Sequence, residues 1–324
     1  MCTAITMFSE HFLFGRNLDW KDLCGGSVVI CPRNFPFEFN NGKKLQNHYA
    51  IIGVAAFQDG YPLYFDGTNE VGLSIAGLNF PNHAYYHPFK EGRNNLAPYE
   101  LIPWLLSICR DLEEARCALG NINLWAKPFS EELPLTPLHW LIADKTSSIV
   151  LESTREGLQI YENPFGVLTN SPPFSYHATH IAQYMGLSCK NPINHFSEKL
   201  PLTPYSFGMG SIGLPGDPSS PSRFVRAAFT KWNSPPCTNV PDAICQFFHV
   251  LTAVMQPKGI TQFEDGSYEF TVYSSCCDAT EGIYYYKTYH GQSIHAVDLH
   301  RTDLFGKTAT LYPICDELII REQN

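Results

Sequence analysis

Charged residues are scarce in this 324-residue sequence, at 16% of positions, and the basic ones are the scarcer kind. Lys and Arg number 22 against 31 Asp and Glu, for a net charge of −9. Nucleic acid and anionic membrane surfaces both select a basic face, so neither is expected as a partner. No run of eighteen uncharged apolar residues occurs, so no segment reads as a membrane-spanning helix. The opening Met1-Cys2-Thr3-Ala4-Ile5-Thr6 has neither the basic stretch nor the long apolar stretch of a secretory leader. Cys-x-x-Cys pairs are missing too, which leaves a structural zinc site without support. Eleven cysteines is an odd number, and a chain this long needs no disulfide framework. Reduced thiols and a cytoplasmic location are therefore expected. The G-x-S-x-G elbow, the P-loop and H-E-x-x-H are absent, so serine α/β-hydrolase, NTPase and zincin chemistry lack a motif.

Hydrophobic residues make up 44% of the chain and aromatic ones 14%, enough for a full core and ring-lined pockets. Residues 3–8 and 12–19 are apolar runs flanking a polar Ser-Glu-His turn, the pattern of a hairpin. Strands are also expected at 27–31, 49–56, 71–78, 138–144, 148–152, 158–161 and 166–169, and again at 268–274, 282–289 and 294–299. Pro98 opens a helix that sets Leu101, Leu105 and Ile108 on one face, and Asp111 caps another over 112–119. Ser222 is expected to cap a helix carrying Phe224, Val225, Ala228, Phe229 and Trp232. Pro241 opens one with Ile244, Phe247, Phe248 and Leu251 at helical spacing. Strands and helices fall in separate blocks with no linker or repeat between them, which argues an α+β fold in one domain spanning 1–324.

Two motifs invite over-reading. Gly208-Met209-Gly210-Ser211-Ile212-Gly213 matches the dinucleotide fingerprint, but Pro-Leu-Thr-Pro precedes it where a buried strand is required. His177 and His180 fall one helical turn apart without a third ligand nearby in sequence. Neither a metal nor an organic cofactor is expected. The adjacent Cys276 and Cys277 read as buried strand thiols.

The amino terminus carries more. Cys2 follows Met1, and so small a residue permits removal of the methionine. The mature chain then begins with one residue bearing both a thiol, intrinsically nucleophilic as thiolate, and an α-amine with an ordinary pKa of about 7.7–8.0. Nucleophile and base are then supplied together. A hairpin over residues 3–19 returns Arg16 and Asp19 beside Cys2, Arg16 to favour the thiolate and Asp19 to orient the α-ammonium group.

Beyond this hairpin, the sequence resembles the choloylglycine hydrolases. The resemblance rests on Met1-Cys2-Thr3, Gly15-Arg16-Asn17-Leu18-Asp19, Gly77-Leu78-Asn79-Phe80-Pro81 and Leu138-His139-Trp140. It continues through Leu168-Thr169-Asn170-Ser171-Pro172, Gly213-Leu214-Pro215-Gly216-Asp217, Ser222-Arg223-Phe224 and Gly282-Ile283-Tyr284-Tyr285-Tyr286. These segments stand in the family's order from residue 1 to about 300. The family comprises bile salt hydrolases and penicillin V acylases, N-terminal nucleophile amidases built as a four-layer αββα sandwich.

The resemblance implies that Cys2 is the nucleophile and its α-amine the proton shuttle, with Arg16 and Asp19 in the roles above. It implies an oxyanion hole made by the backbone N–H of Asn79 and the side-chain amide of Asn170, and an Arg223 beside the thiol. Penicillin V acylases of the family often carry Tyr at the position of Asn79, whereas bile salt hydrolases carry Asn. The implied reaction is hydrolysis of a glycine- or taurine-conjugated bile salt. The alternatives are a penicillin V acylase or another N-acyl amidase and, in a different class, a non-catalytic steroid- or lipid-binding protein. Wall residues implied by family position are Leu18, Phe57, Phe65 and Leu133; other members often carry Met at Leu18. A homotetramer is implied as well.

Overall fold

The computed structural model describes residues 1–324. Its first hairpin pairs the strands Cys2–Phe8 and Phe12–Trp20 in the register Cys2 with Leu18 and Ala4 with Arg16. Directly opposed residues of an antiparallel pair project from the same face, so Cys2, Arg16 and Leu18 share one side of the sheet. Both strands are buried along nearly their whole length, because this hairpin lies inside a six-stranded sheet. Val167–Leu168 flanks it on one side. On the other lie Phe270–Asp278, Ile283–Thr288 and His295–Asp298.

A nine-stranded antiparallel sheet stacks on this one. Its inner face packs Val28, Ile30, Ile52 and Val54 against Tyr273, Tyr284 and Tyr286 of the smaller sheet. The helices Ser220–Trp232 and Val240–Thr252 cover the outer face of the six-stranded sheet through Phe224, Phe247 and Leu251. Leu101–Ile108 and Leu112–Leu119 cover the nine-stranded sheet through Leu101, Leu105, Leu112 and Ala115. The result is the four-layer αββα sandwich. Each large apolar side chain sealed between layers contributes about 1.5–3 kcal/mol.

Several expected boundaries move. The helix expected at Ser222 starts at Ser220, because Pro221 sits in its first turn, while the Ser222 hydroxyl donates to Asp217 at 2.5 Å. Ile108 ends its helix 39% exposed rather than on the buried face. The run 71–78 splits into a turn with Gly72 at φ 98° and the strand Ser74–Asn79, preceded by a strand Asp66–Asn69 whose polar sequence reads as a turn. The Gly208–Gly213 run lies in an exposed loop with a short 3₁₀ turn at Met209–Ser211, without the strand–turn–helix of a dinucleotide site. No helix is long and apolar enough to cross a membrane.

Candidate active site

Cys2 begins its strand and is 6% exposed. Its backbone N–H donates to Asn170 Oδ1 at 2.7 Å. Met1 extends the same ladder by one residue. Its ammonium donates to the Asp19 carbonyl at 3.0 Å, the Asp19 N–H donates to the Met1 carbonyl at 3.0 Å, and the Glu269 carboxylate contacts the ammonium. Burial lowers the pKa of this α-amine, against the opposing charges of Cys2 and Asp19.

Arg16 crosses from one sheet to the other. Its Nη1 donates to the Gly77 carbonyl at 2.5 Å and to the Phe65 carbonyl at 3.0 Å. Burial by itself would lower the pKa of this guanidinium; the charges of Cys2, Tyr273, Asp66 and Asp19 outweigh it and hold the group protonated. Asp19 would point away from Leu18 in a regular ladder. A register shift between Thr271 and Tyr273, facing Leu18 and Asp19, breaks the alternation there. Asp19 Oδ1 accepts the Thr271 hydroxyl at 2.6 Å, and Oδ2 is buried without a hydrogen-bond partner. Burial raises the Asp19 pKa, with Arg223 and the N-terminal ammonium opposing. The expected contact of the Asp19 carboxylate with the terminal amine thus runs through its main-chain oxygen while Met1 is in place.

Asn170 is the hub. It follows the short strand Val167–Leu168 and precedes a cis Ser171–Pro172 bond. Its N–H donates to Ser220 Oγ at 2.8 Å, and its carbonyl accepts from His177 Nε2 at 2.9 Å, so both main-chain groups are clamped. That clamp leaves the side chain aimed at Cys2 and Arg223. Oδ1 accepts from Cys2 N and from Arg223 Nη2, each at 2.7 Å, and Nδ2 donates to the Asn79 carbonyl at 2.7 Å. Asn79 and Asn170, 91 residues apart, are therefore directly bonded. Arg223 was expected beside the thiol. Its Nη1 donates to the Cys2 carbonyl at 2.5 Å and to the Thr3 hydroxyl at 2.7 Å, and its Nε donates to the Pro218 carbonyl at 2.9 Å. Thr3 alternates with Cys2 along the strand, so Arg223 reaches the site from the helical layer behind it. Burial lowers its pKa, offset by the charges of Asp19 and Cys2.

A cavity of about 390 Å³ opens from Cys2, Arg16, Asp19 and Asn79. Its walls are mostly apolar and include Leu18, Phe65 and Leu133. Phe57 is not among them. It alternates with Ala56 and Gln58, which do line the cavity, and packs instead against the core beneath Leu101–Ile108. Trp20, Tyr99, Phe129 and Leu135 complete the enclosure.

Residues 2–320 match the profile of the linear amide C–N hydrolases, choloylglycine hydrolase family. The chain belongs to the choloylglycine hydrolase family. It is 49% identical over 317 residues to the bile salt hydrolase/transferase of Lactiplantibacillus plantarum, a match covering 98% of each chain. It is 38% identical to the bile salt hydrolase/transferase of Clostridium perfringens over 100% of each. A crystal structure of the C2A mutant of the conjugated bile acid hydrolase from Clostridium perfringens superposes with a TM-score of 0.93 at 37% identity, covering 100% of both chains. The penicillin V acylase of Agrobacterium tumefaciens, 21% identical with a TM-score of 0.76 over 98% of this chain and 99% of its own, shares the fold.

In this choloylglycine hydrolase the supporting groups are what sequence reading missed. Ser220 and His177 clamp Asn170, and His139 binds the neighbouring Thr169 carbonyl at 2.9 Å while facing Glu152 at 3.1 Å. His177 spends its Nε2 on Asn170, and the His180 ring stacks on Tyr176, so the two imidazoles are engaged separately. The apolar loop residues Phe129 and Leu135 left a legible signal: large hydrophobics in a stretch with three prolines, 128, 134 and 137, are not needed by any helix or strand.

Proposed function

We propose that this choloylglycine hydrolase cleaves the amide bond of glycine- or taurine-conjugated bile salts with the Cys2 thiol, once Met1 has been removed. The observation that carries the reading is the bonded set Cys2, Asn170, Asn79 and Arg223, of which Cys2 and Asn79 line an apolar cavity. The thiol sulfur attacks the amide carbonyl and its proton passes to the α-amine freed on Cys2. The tetrahedral oxyanion is met by the Asn79 N–H and by Asn170 Nδ2, which gives one proton to the Asn79 carbonyl and keeps a second for the substrate. The leaving amine departs with the proton held by the α-amine, and water then hydrolyses the thioester, releasing bile acid and the free thiol. Each oxyanion donor is worth about 3–4 kcal/mol of barrier in such a water-poor site.

The cavity volume and lining suit an amphipathic steroid, which needs apolar walls and few polar anchors. The net charge of −9 repels a bile salt anion at long range, so binding rests on apolar contact and local Arg groups. A second reading has support in the word transferase in the names of both relatives described above: an amine in place of water would convert the same thioester to a new amide.

The site draws on residues 2 to 223, which supports one domain over 1–324. Exposed Met185, Phe196, Tyr205 and Phe207 on one irregular stretch support assembly with further copies, and the family resemblance makes that a homotetramer. Eleven unpaired cysteines, five of them buried, suit a reducing cytoplasm. Initial rates on glycocholate, taurocholate and penicillin V, for the chain and for Cys2→Ala, test the function. Turnover of both bile salts that vanishes in Cys2→Ala is expected; a preference for penicillin V overturns the substrate, and residual turnover overturns the nucleophile.

A further inference from the structure

Arg16 carries a fully buried positive charge, yet its hydrogen bonds all run to carbonyls: Asn17, Phe65 and Gly77. No carboxylate lies within salt-bridge distance of it. One residue beyond the Phe65 carbonyl stands Asp66, itself 2% exposed, at the start of the strand Asp66–Asn69. Its Oδ2 accepts the Tyr273 hydroxyl and its Oδ1 the Tyr284 hydroxyl, both at 2.5 Å. The two tyrosines belong to the six-stranded sheet and Asp66 to the nine-stranded one, so the carboxylate is fixed across the gap that Arg16 also spans. Other titratable groups that act on Asp66 or Arg16 in this gap are Cys277, Cys2 and Asp19. Burial raises the Asp66 pKa, while Arg16 and the two tyrosine hydroxyls favour its charged form. A carboxylate held by two phenols in place of a contact ion pair is an uneconomical way merely to join two sheets. It does satisfy a different need, a negative charge near Arg16 that does not engage the guanidinium in a contact ion pair.

We propose that Asp66, clamped by Tyr273 and Tyr284, is a positioning residue for Arg16: it fixes the backbone whose Phe65 carbonyl receives the guanidinium and offsets part of the positive charge, setting how strongly Arg16 favours the Cys2 thiolate. The inference rests on Cys2 being the nucleophile and is independent of which amide is cut. Asp66 and Arg16 act on one another through charge, and two unit charges facing each other across a protein interior interact strongly enough to move a titration by about one pH unit.

The test is the pH dependence of Cys2 alkylation by iodoacetamide, read at the Cys2 peptide by mass spectrometry on the Met1-processed protein. Asp66→Asn preserves shape and removes the charge, so Arg16 acts on Cys2 with less offset. Its alkylation limb is expected to move down by about one pH unit, with the acid limb of kcat/KM moving alongside. Tyr273→Phe and Tyr284→Phe each remove one donor from the carboxylate and are expected to shift the limb the same way by less; they also serve if Asp66→Asn does not fold. Variants that lose thermal stability while the alkylation limb stays fixed, or moves up, overturn the inference and leave Asp66 a cross-link between sheets. Alkylation that spares Cys2 in the unsubstituted enzyme overturns the nucleophile reading, and this inference with it.

Discussion

Asn170 offers the sharpest separation of chemistry from stability, because its two side-chain atoms do different work. Oδ1 holds the Cys2 N–H and the Arg223 guanidinium, while Nδ2 supplies the proton proposed for the oxyanion. Asn170→Asp keeps the first function and destroys the second. The new carboxylate still accepts from Cys2 N and gains a charge partner in Arg223, but its other oxygen faces the Asn79 carbonyl and would repel a developing oxyanion. Removing one such donor costs about 3–4 kcal/mol of transition-state stabilisation, so kcat is expected to fall by about 10²–10³ with little change in melting temperature. Asn170→Ala removes both functions. It strands a buried guanidinium N–H and the Cys2 N–H, for a further loss of about 2–4 kcal/mol in stability. The assay is kcat and KM for glycine release from glycocholate, beside thermal unfolding of each variant. A kcat for Asn170→Asp within about threefold of the unsubstituted enzyme would refute the role given to Nδ2, since a lost oxyanion donor cannot be that cheap.

Other expectations follow from buried groups near the site. His177 is held at about 4 by burial, below its ordinary 6.5, so its contribution to stability is complete above pH 6.5 and drains away as the pH falls toward 4. The total is about 3 kcal/mol, and urea midpoints at pH 7 and 4.5 should converge in His177→Gln but separate in the unsubstituted enzyme. Lys231, lowered to about 7 by burial, works in the alkaline range: its contribution grows between pH 7 and 10.5, and Lys231→Met should flatten the stability curve there. Gly15 has its missing Cβ directed into the Ser275 carbonyl on the neighbouring strand, so Gly15→Ala should part the strands beside Arg16. Lower melting temperature and lower kcat together are expected; unchanged values of both would show that the strand can shift at no cost.

The part of the site that lies on one hairpin was readable from sequence because spacing alone decides it. Period-two alternation and a polar turn return Arg16 to within one pair of Cys2. Asp19 needed more, since it is the irregularity opposite Thr271 and Tyr273 that breaks the ladder at its position, and a bulge leaves no mark in composition. Asn79, Asn170 and Arg223 come from a strand, a turn and a helix brought together only by stacking of the layers. Resemblance pointed to them; local pattern by itself reads the two asparagines as turn residues. The strand Asp66–Asn69 escaped notice for a related reason. Asp-Gly-Thr-Asn is buried through specific hydrogen bonds, which hydrophobic periodicity does not register. Phe57 failed the other way: a large apolar side chain is equally at home in a pocket wall or a core, and the strand's phase chose the core.

The amino end of this chain has a practical consequence for anyone producing it. Termini usually serve as handles, dispensable and open to extension. Here the first strand has neighbours on both sides, and Met1 is already laced to Asp19 and Glu269. A peptide fused ahead of Cys2 would both cap the amine and have to find its way out through a packed seam. The last residues, from 314 onward, form no strand or helix and end fully exposed. An affinity tag belongs there, and the same label moved to the front is expected to suppress activity.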